Sequence, residues 1–132
     1  MSRSGYSDDE YDWGTICWRG AVAAAIRGKR GQAFLLEMWR AMQSLPEPKL
    51  ISGELADEYD GSVCALGSVG KARGVDMSNI DQDDHEAVAS AFGISHALAC
   101  EIMYMNDEGV WRETPAQRWR RMRAWISDNL KN

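Results

Sequence analysis

Helix stops recur at short intervals along this chain, and between them apolar residues return at helical spacing. Gly28, the prolines of "LPEPK", Gly93, the "NDEG" at Asn106 to Gly109, and the "TP" at Thr114-Pro115 punctuate the sequence. Glycine ends helices in the left-handed conformation and proline excludes their continuation, so no segment can run far before it must turn. The apolar positions between stops follow a period near 3.6, which builds amphipathic helices rather than strands. Such a chain has one economical solution, an irregular bundle of about six short helices in an all-α fold.

The segments follow from that pattern. Residues 1–11 are polar and acidic, have no apolar face to bury and read as a flexible tail, leaving 12–132 as a single helical domain. A first helix is expected from Asp12 to Arg27, carrying Trp18, Val22, Ala25 and Ile26, and a second from Gln32 to Ser44, with Leu35, Met38, Trp39 and Met42 inward. The stretch "KLISGELADEYDG" permits one short hairpin near residues 50–65, with a strand at Leu50–Leu55 and a turn at Asp60-Gly61. A third helix is expected over Ser62–Arg73, with Gly67 and Gly70 either allowing close backbone contact or marking a distorted helix. Asp81 is the expected N-cap of a fourth helix ending at Gly93, and a fifth begins at Ser95 with Leu98, Ile102 and Met105 inward. The last opens with a Thr cap and Pro at its first position, and Trp119, Met122, Ile126 and Leu130 form its stripe.

Hydrophobic residues make up 45% of the chain, and six Trp and seven Met supply a core. The weakly polar run "GAVAAAI" is too short to span a bilayer, and the acidic N-terminus is not that of a signal peptide. Cys17, Cys64 and Cys100 are far apart, odd in number and without a CxxC pair, so neither a disulfide framework nor zinc is expected, and a reduced cytoplasmic setting fits best. Net charge is −5, and residues 1–66 (seven basic, ten acidic) and 67–132 (eight basic, ten acidic) are both negative. Nucleic-acid binding by counterion release needs clustered Lys and Arg and is disfavoured.

Motif fragments were weighed against ordinary structure. "GSVGKARG" lacks the first glycine of a phosphate loop, since Ala65 stands there, and Ala72 replaces the magnesium-binding Ser or Thr after Lys71. "DQDDHE" puts Glu86 and Phe92 where a calcium loop needs Gly and Glu, so helix capping explains its acids. His85 and His96 are eleven residues apart on different helices with no third ligand spaced beside them, and no metal or cofactor is expected. His96 and Cys100, one helical turn apart, can meet, but a structural cysteine is the commoner case. No catalytic constellation stands out, so the chain does not read as an enzyme.

"AVASAFGISHALACEI" has the shape of a helix-turn-helix corner, yet no Lys or Arg occurs from Asp83 to Gly109. The residues left as candidate partner contacts are Arg27, Lys29 and Arg30 of "RGKRG", and Arg120, Arg121 and an outward-facing Trp125 of "QRWRRMRAW". On the helical wheel Arg118 and Arg123 border the apolar stripe, while Arg120 and Arg121 point away from it.

With these residues in view, the chain resembles a group of small accessory proteins encoded by phages and prophages. The likeness rests on "AIRGKRGQAFL", "VCALGSVGKARG", "FGISHALACEIMYMNDEG" and "ETPAQRWRRMRAWI". It implies a phage or prophage origin and action in the cytoplasm of a bacterial host, and it assigns no role to any residue. Small acidic phage proteins of this kind act prominently as counter-defence inhibitors, the anti-CRISPR proteins among them. The resemblance therefore implies stoichiometric inhibition of a host protein machine by occlusion. Rival readings are a helix-turn-helix regulator, an anion- or nucleotide-sequestering protein using Arg27, Lys29 and Arg30, and a small morphogenetic phage protein.

Overall fold

The structure, a computed structural model, describes residues 13–131, and among them the fold is all-α with six helices. The tail assigned to residues 1–11 lies outside the described residues. The helices are α1 (Trp13–Arg27), α2 (Lys29–Gln43), α3 (Ala65–Arg73), α4 (His85–Phe92), α5 (His96–Asp107) and α6 (Pro115–Asn129). A single 3₁₀ turn, Met77–Asn79, lies between α3 and α4. None of them is long and apolar enough to cross a membrane by itself.

Helix α2 is the central strut, packing on α1, α3 and α6, while α5 packs on α1, α3 and α4. Leu35, Met38 and Met42 of α2 meet Leu66 and Val69 of α3, Leu98, Ile102 and Met103 of α5, and Met122 and Ile126 of α6 in one core. Phe34 and Phe92 close its edge in a T-shaped pair at 6.4 Å. Trp119 seals α6 onto α2, its indole N–H donating to the Met42 carbonyl at 3.1 Å.

The α1–α2 junction is tighter than its sequence indicates. Only Gly28 breaks the helices, in extended conformation as the N-cap of α2, so Lys29, Arg30 and Gly31 are helical and α2 begins at Lys29 rather than Gln32. Gly31 lies against the last turn of α1, where a Cβ would come within 1.9 Å of the Ala25 carbonyl oxygen. Gln32 donates to the carbonyls of Ile26 (2.8 Å) and Asn129 (2.9 Å), tying the corner to the end of α6. The close backbone contact expected in α3 is found at Gly67, where a Cβ would meet the Leu55 carbonyl at 1.9 Å, but not at Gly70, whose Cβ would meet the Met77 side chain, its sulfur at 2.5 Å.

The hairpin expected near residues 50–65 is reduced to a single antiparallel bridge, Ala56 with Val63. Isolated hydrogen bonds, from Ile51 N–H to the Val63 carbonyl and Cys64 N–H to that of Leu55, join the two segments, but Leu50 N–H donates to the Pro115 carbonyl and Leu55 N–H to Gln82 Oε1, so no continuous ladder forms. Helix α3 starts at Ala65, not Ser62, because Cys64 is its N-cap and its sulfur accepts from Gly67 N–H. Asp84, not Asp81, caps α4, since Asp81 closes the preceding turn through Asp83 N–H and Asp84 N–H. Gly93 ends α4 with φ 72°, Ser95 caps α5, and the two helices bend by 102° at this corner. Thr114 and Gln117 form the reciprocal capping box of α6, with Pro115 at its first position. Asn106 and Asp107, read as part of a turn, complete α5 instead.

Glycine substitutions separate close packing from helix propensity. Gly31→Ala is expected to destabilise the fold by about 2 kcal/mol through overpacking. Gly20→Ala, inside α1 with no atom within 4 Å of its new Cβ, is expected to stabilise it by up to about 1 kcal/mol. Urea denaturation of both variants checks the opposite signs.

Candidate functional site

A buried carboxylate organises the loop that carries the exposed Trp111. Glu113 lies in the loop between α5 and α6, and its side chain is only 4% exposed. Arg121 grips it through two hydrogen bonds at 2.6 and 3.0 Å and also donates to the carbonyls of Met105 and Asn106 at the end of α5. Arg118 approaches it at 3.3 Å and donates to the Leu50 carbonyl at 2.9 Å. Guanidinium groups thus satisfy the free carbonyls of one helix and the charge of the loop that follows it. The hydrogen bonds from Arg121, followed in effect by its charge and that of Arg118, outweigh burial and hold the Glu113 carboxyl below its ordinary value.

This anchorage shapes the loop above it. Gly109 packs directly on Glu113, where a Cβ would fall 2.2 Å from the carboxylate. Glu113 N–H returns to the Val110 carbonyl at 3.0 Å, closing a tight turn. Arg112 adopts φ 61°, a left-handed conformation that costs a non-glycine residue about 1 kcal/mol or more. At the crest Val110 and Trp111 are 72% and 87% exposed, and the Arg112 guanidinium lies over the Trp111 ring at 5.9 Å. The sequence reading missed this Trp. Its signal was an apolar pair in a segment without helical periodicity.

A second feature borders the same 50–56 segment. Glu54, Asp57 and Glu58 face Asp81 across a groove of about 450 Å³, whose floor includes Leu55, Met77 and Ile80. Asp60, Asp76, Asp83, Asp84 and Glu86 extend the acidic stretches, and no Lys or Arg occurs at residues 50–70 or 74–111. Tyr59 stands fully exposed on the turn beside the groove. Backbone and hydroxyl hydrogen bonds from Ser62 lower the Asp60 carboxyl, and those from Ser78 lower Asp76, so both stay charged in mild acid.

The corner between α4 and α5 brings together a third group. His85 and His96 are the first residues of their helices, and their rings stack at 5.8 Å with an interplanar angle of 22°. Cys100 joins them, so that one donor atom from each lies within 4.8 Å of the others. The missing third ligand was supplied by the helical turn from His96 to Cys100, whose value depended on where His85 lay in space. Burial pushes the Cys100 thiol up to about 11, the opposite of what an activated nucleophile needs.

The residues singled out from sequence do not converge. Arg27, Lys29 and Arg30 sit at the α1–α2 corner, where Arg30 donates to the Gly93 carbonyl at 2.9 Å and Lys131 Nζ to the Arg27 carbonyl at 2.8 Å. Arg120 is exposed on α6, whereas Arg121 is held inside the Glu113 cluster. Trp125 does not face outward: it is half-buried and packed against the core, because α6 rests on a broader face than its central stripe. Arg118, placed beside the stripe, is buried, and Arg123 lies over the Trp119 ring at 5.2 Å. Residues 97 to 103 of α5 are buried throughout, so the middle of this helix offers no face to a DNA groove.

No family model, curated protein or solved structure matches the chain.

Glu113→Gln should cost about 2 kcal/mol at neutral pH, because it leaves buried Arg118 and half-buried Arg121 without their counter-charge. A carboxyl with a lowered folded value stabilises above its unfolded value and loses that contribution as pH falls through the folded one. The difference between wild type and Glu113→Gln should accordingly narrow in acid, as followed by urea denaturation across pH. Thiol labelling of the native protein should modify exposed Cys17 rapidly, while buried Cys64 and Cys100 react only through opening of the fold, as mass spectrometry of labelled peptides would show.

Proposed function

We propose that this chain is a small binding protein that occludes a basic surface on a partner protein. The observation that carries the reading is the acidic groove of Glu54, Asp57, Glu58 and Asp81 beside exposed Tyr59, in segments without any Lys or Arg. Uncompensated charge on one face steers an oppositely charged partner and rejects like-charged ones. Aromatic anchors supply what charge alone does not, since Trp and Tyr dominate the energetics of interfaces. Tyr59 and the Val110–Trp111 crest provide such anchors, and the Glu113 cluster holds the second of them ready before contact, which lowers the ordering cost of binding.

The resemblance to phage and prophage accessory proteins supplies the class of partner, a bacterial host machine. A Lys- and Arg-rich surface on such a machine is typically one that handles nucleic acid, and covering it blocks the machine by stoichiometric occlusion. A counter-defence role of the anti-CRISPR type is the specific form of this proposal. Duplex DNA itself is repelled by the same acidic face.

Affinity capture from extracts of the bacterial host tests the reading when wild type is run beside Glu54→Lys/Glu58→Lys and Trp111→Ala. Both acidic residues and Trp111 are exposed, so folding should be unaffected. Charge reversal is expected to abolish retention of a basic partner, and rising salt to weaken wild-type capture. Trp111→Ala should weaken it by about tenfold or more, with little dependence on salt. Retention indifferent to both charge reversal and salt would contradict the proposal, and sub-micromolar, sequence-selective binding of duplex DNA would replace it with the regulator reading.

A further inference from the structure

We propose that His85, His96 and Cys100 form a binding site for a divalent transition-metal ion, zinc above all. Their donor atoms already lie within 4.8 Å of one another. A tetrahedral ion with bonds of about 2.0 Å to nitrogen and 2.3 Å to sulfur needs donors about 3.5 Å apart, so closure by about 1 Å completes the set.

The placement of the donors follows from local structure. Asp84 caps α4 and so fixes His85 at its first position, while Ser95 caps α5 and fixes His96 at its first. Cys100 follows His96 by one helical turn and shares its face. The Gly93 corner, with its bend of 102°, then stacks the two rings. Trp18 of α1 packs edge-on against His96 at 5.5 Å, and the paired Arg19 and Glu101, at 2.9 and 3.2 Å, tie α1 to α5 next to Cys100. Neighbours of this kind orient ligating rings and limit their freedom.

Two imidazoles and one thiol are the donors of zinc, cobalt and copper, and a poor match to magnesium or calcium, which take oxygen. Binding forms a metal–sulfur bond at Cys100 and releases its proton to solvent. Three protein ligands leave one position of the tetrahedron for water or another ligand. His96 is the exposed member of the set and gives an ion its way in, while Cys100 is buried. The ion would pin the end of the acidic segment at His85 to α5. The site stands independently of the proposed interface.

Cobalt(II) titration of the full chain tests the proposal, with circular dichroism to confirm the fold of each variant. Wild type should develop the visible bands of tetrahedral cobalt together with a thiolate-to-metal charge-transfer band, and zinc should bleach both. His96→Ala, at an exposed position, should weaken binding by tenfold or more. Cys100→Ser should remove the charge-transfer band, whereas Cys17→Ser should leave the spectrum unchanged. Absence of these bands in wild type, undiminished binding by His96→Ala, or loss of the charge-transfer band in Cys17→Ser would each overturn the assignment. If Cys100→Ser fails to fold, the His96 and Cys17 variants still decide it.

Discussion

The carboxylate of Glu113, buried between Arg118 and Arg121, is the contact on which the rest of this architecture turns. Few buried charges justify their desolvation by attraction alone. Here the two guanidinium groups also satisfy carbonyls that the fold would otherwise strand, at Met105, Asn106 and Leu50. Asn106, itself fully buried, continues the network: its Oδ1 accepts from Ala65 N–H at 3.1 Å and its Nδ2 donates to the Ile51 carbonyl at 3.0 Å. The start of α3, the end of α5, the start of α6 and the irregular 50–56 segment therefore share one polar joint. Losing one member of such a network leaves the others buried without partners, so these elements are coupled through it.

What was legible in the sequence was local. The Thr114 cap with Pro115 behind it and the Gly93 stop are written within a few residues of the backbone groups they serve and are found in place, and the helix expected to begin at Ser95 begins one residue later with Ser95 as its cap. The α1–α2 corner was legible only in part, since Gly31 reads as loop until the Ala25 carbonyl it must clear is known. Asn106 belongs to a residue type that favours turns, and it became helical because its amide meets backbone groups 41 and 55 residues away in sequence. Trp125 was misplaced because one apolar stripe fixed the wheel, whereas α6 packs against a wider surface. The His85–His96–Cys100 cluster depends on a helix bend that spacing along the chain does not encode.

Surface chemistry divides along the same lines. Two of the arginines that looked available for partners are engaged within the chain, Arg30 on the Gly93 carbonyl and Arg121 on Glu113, while Arg27 and Arg120 are exposed. The acids of residues 54–60 and 76–86 have no Lys or Arg within their own segments. Four of these acids, Glu54, Asp57, Glu58 and Asp81, line one groove, and the exposed Tyr59 and Trp111 sit on turns, not on helices. Positioned loops of this kind suit recognition when a rigid scaffold fixes them.

Backbone relaxation measured by NMR on the uncomplexed protein reports directly on the rigidity of the Val110–Trp111 crest. If the Glu113 joint pre-forms the crest, amides 108–113 should show order parameters near those of the helices, about 0.85. Values below about 0.6 in the free protein would contradict the account, for the tryptophan would then be presented by a flexible loop and not by a built one.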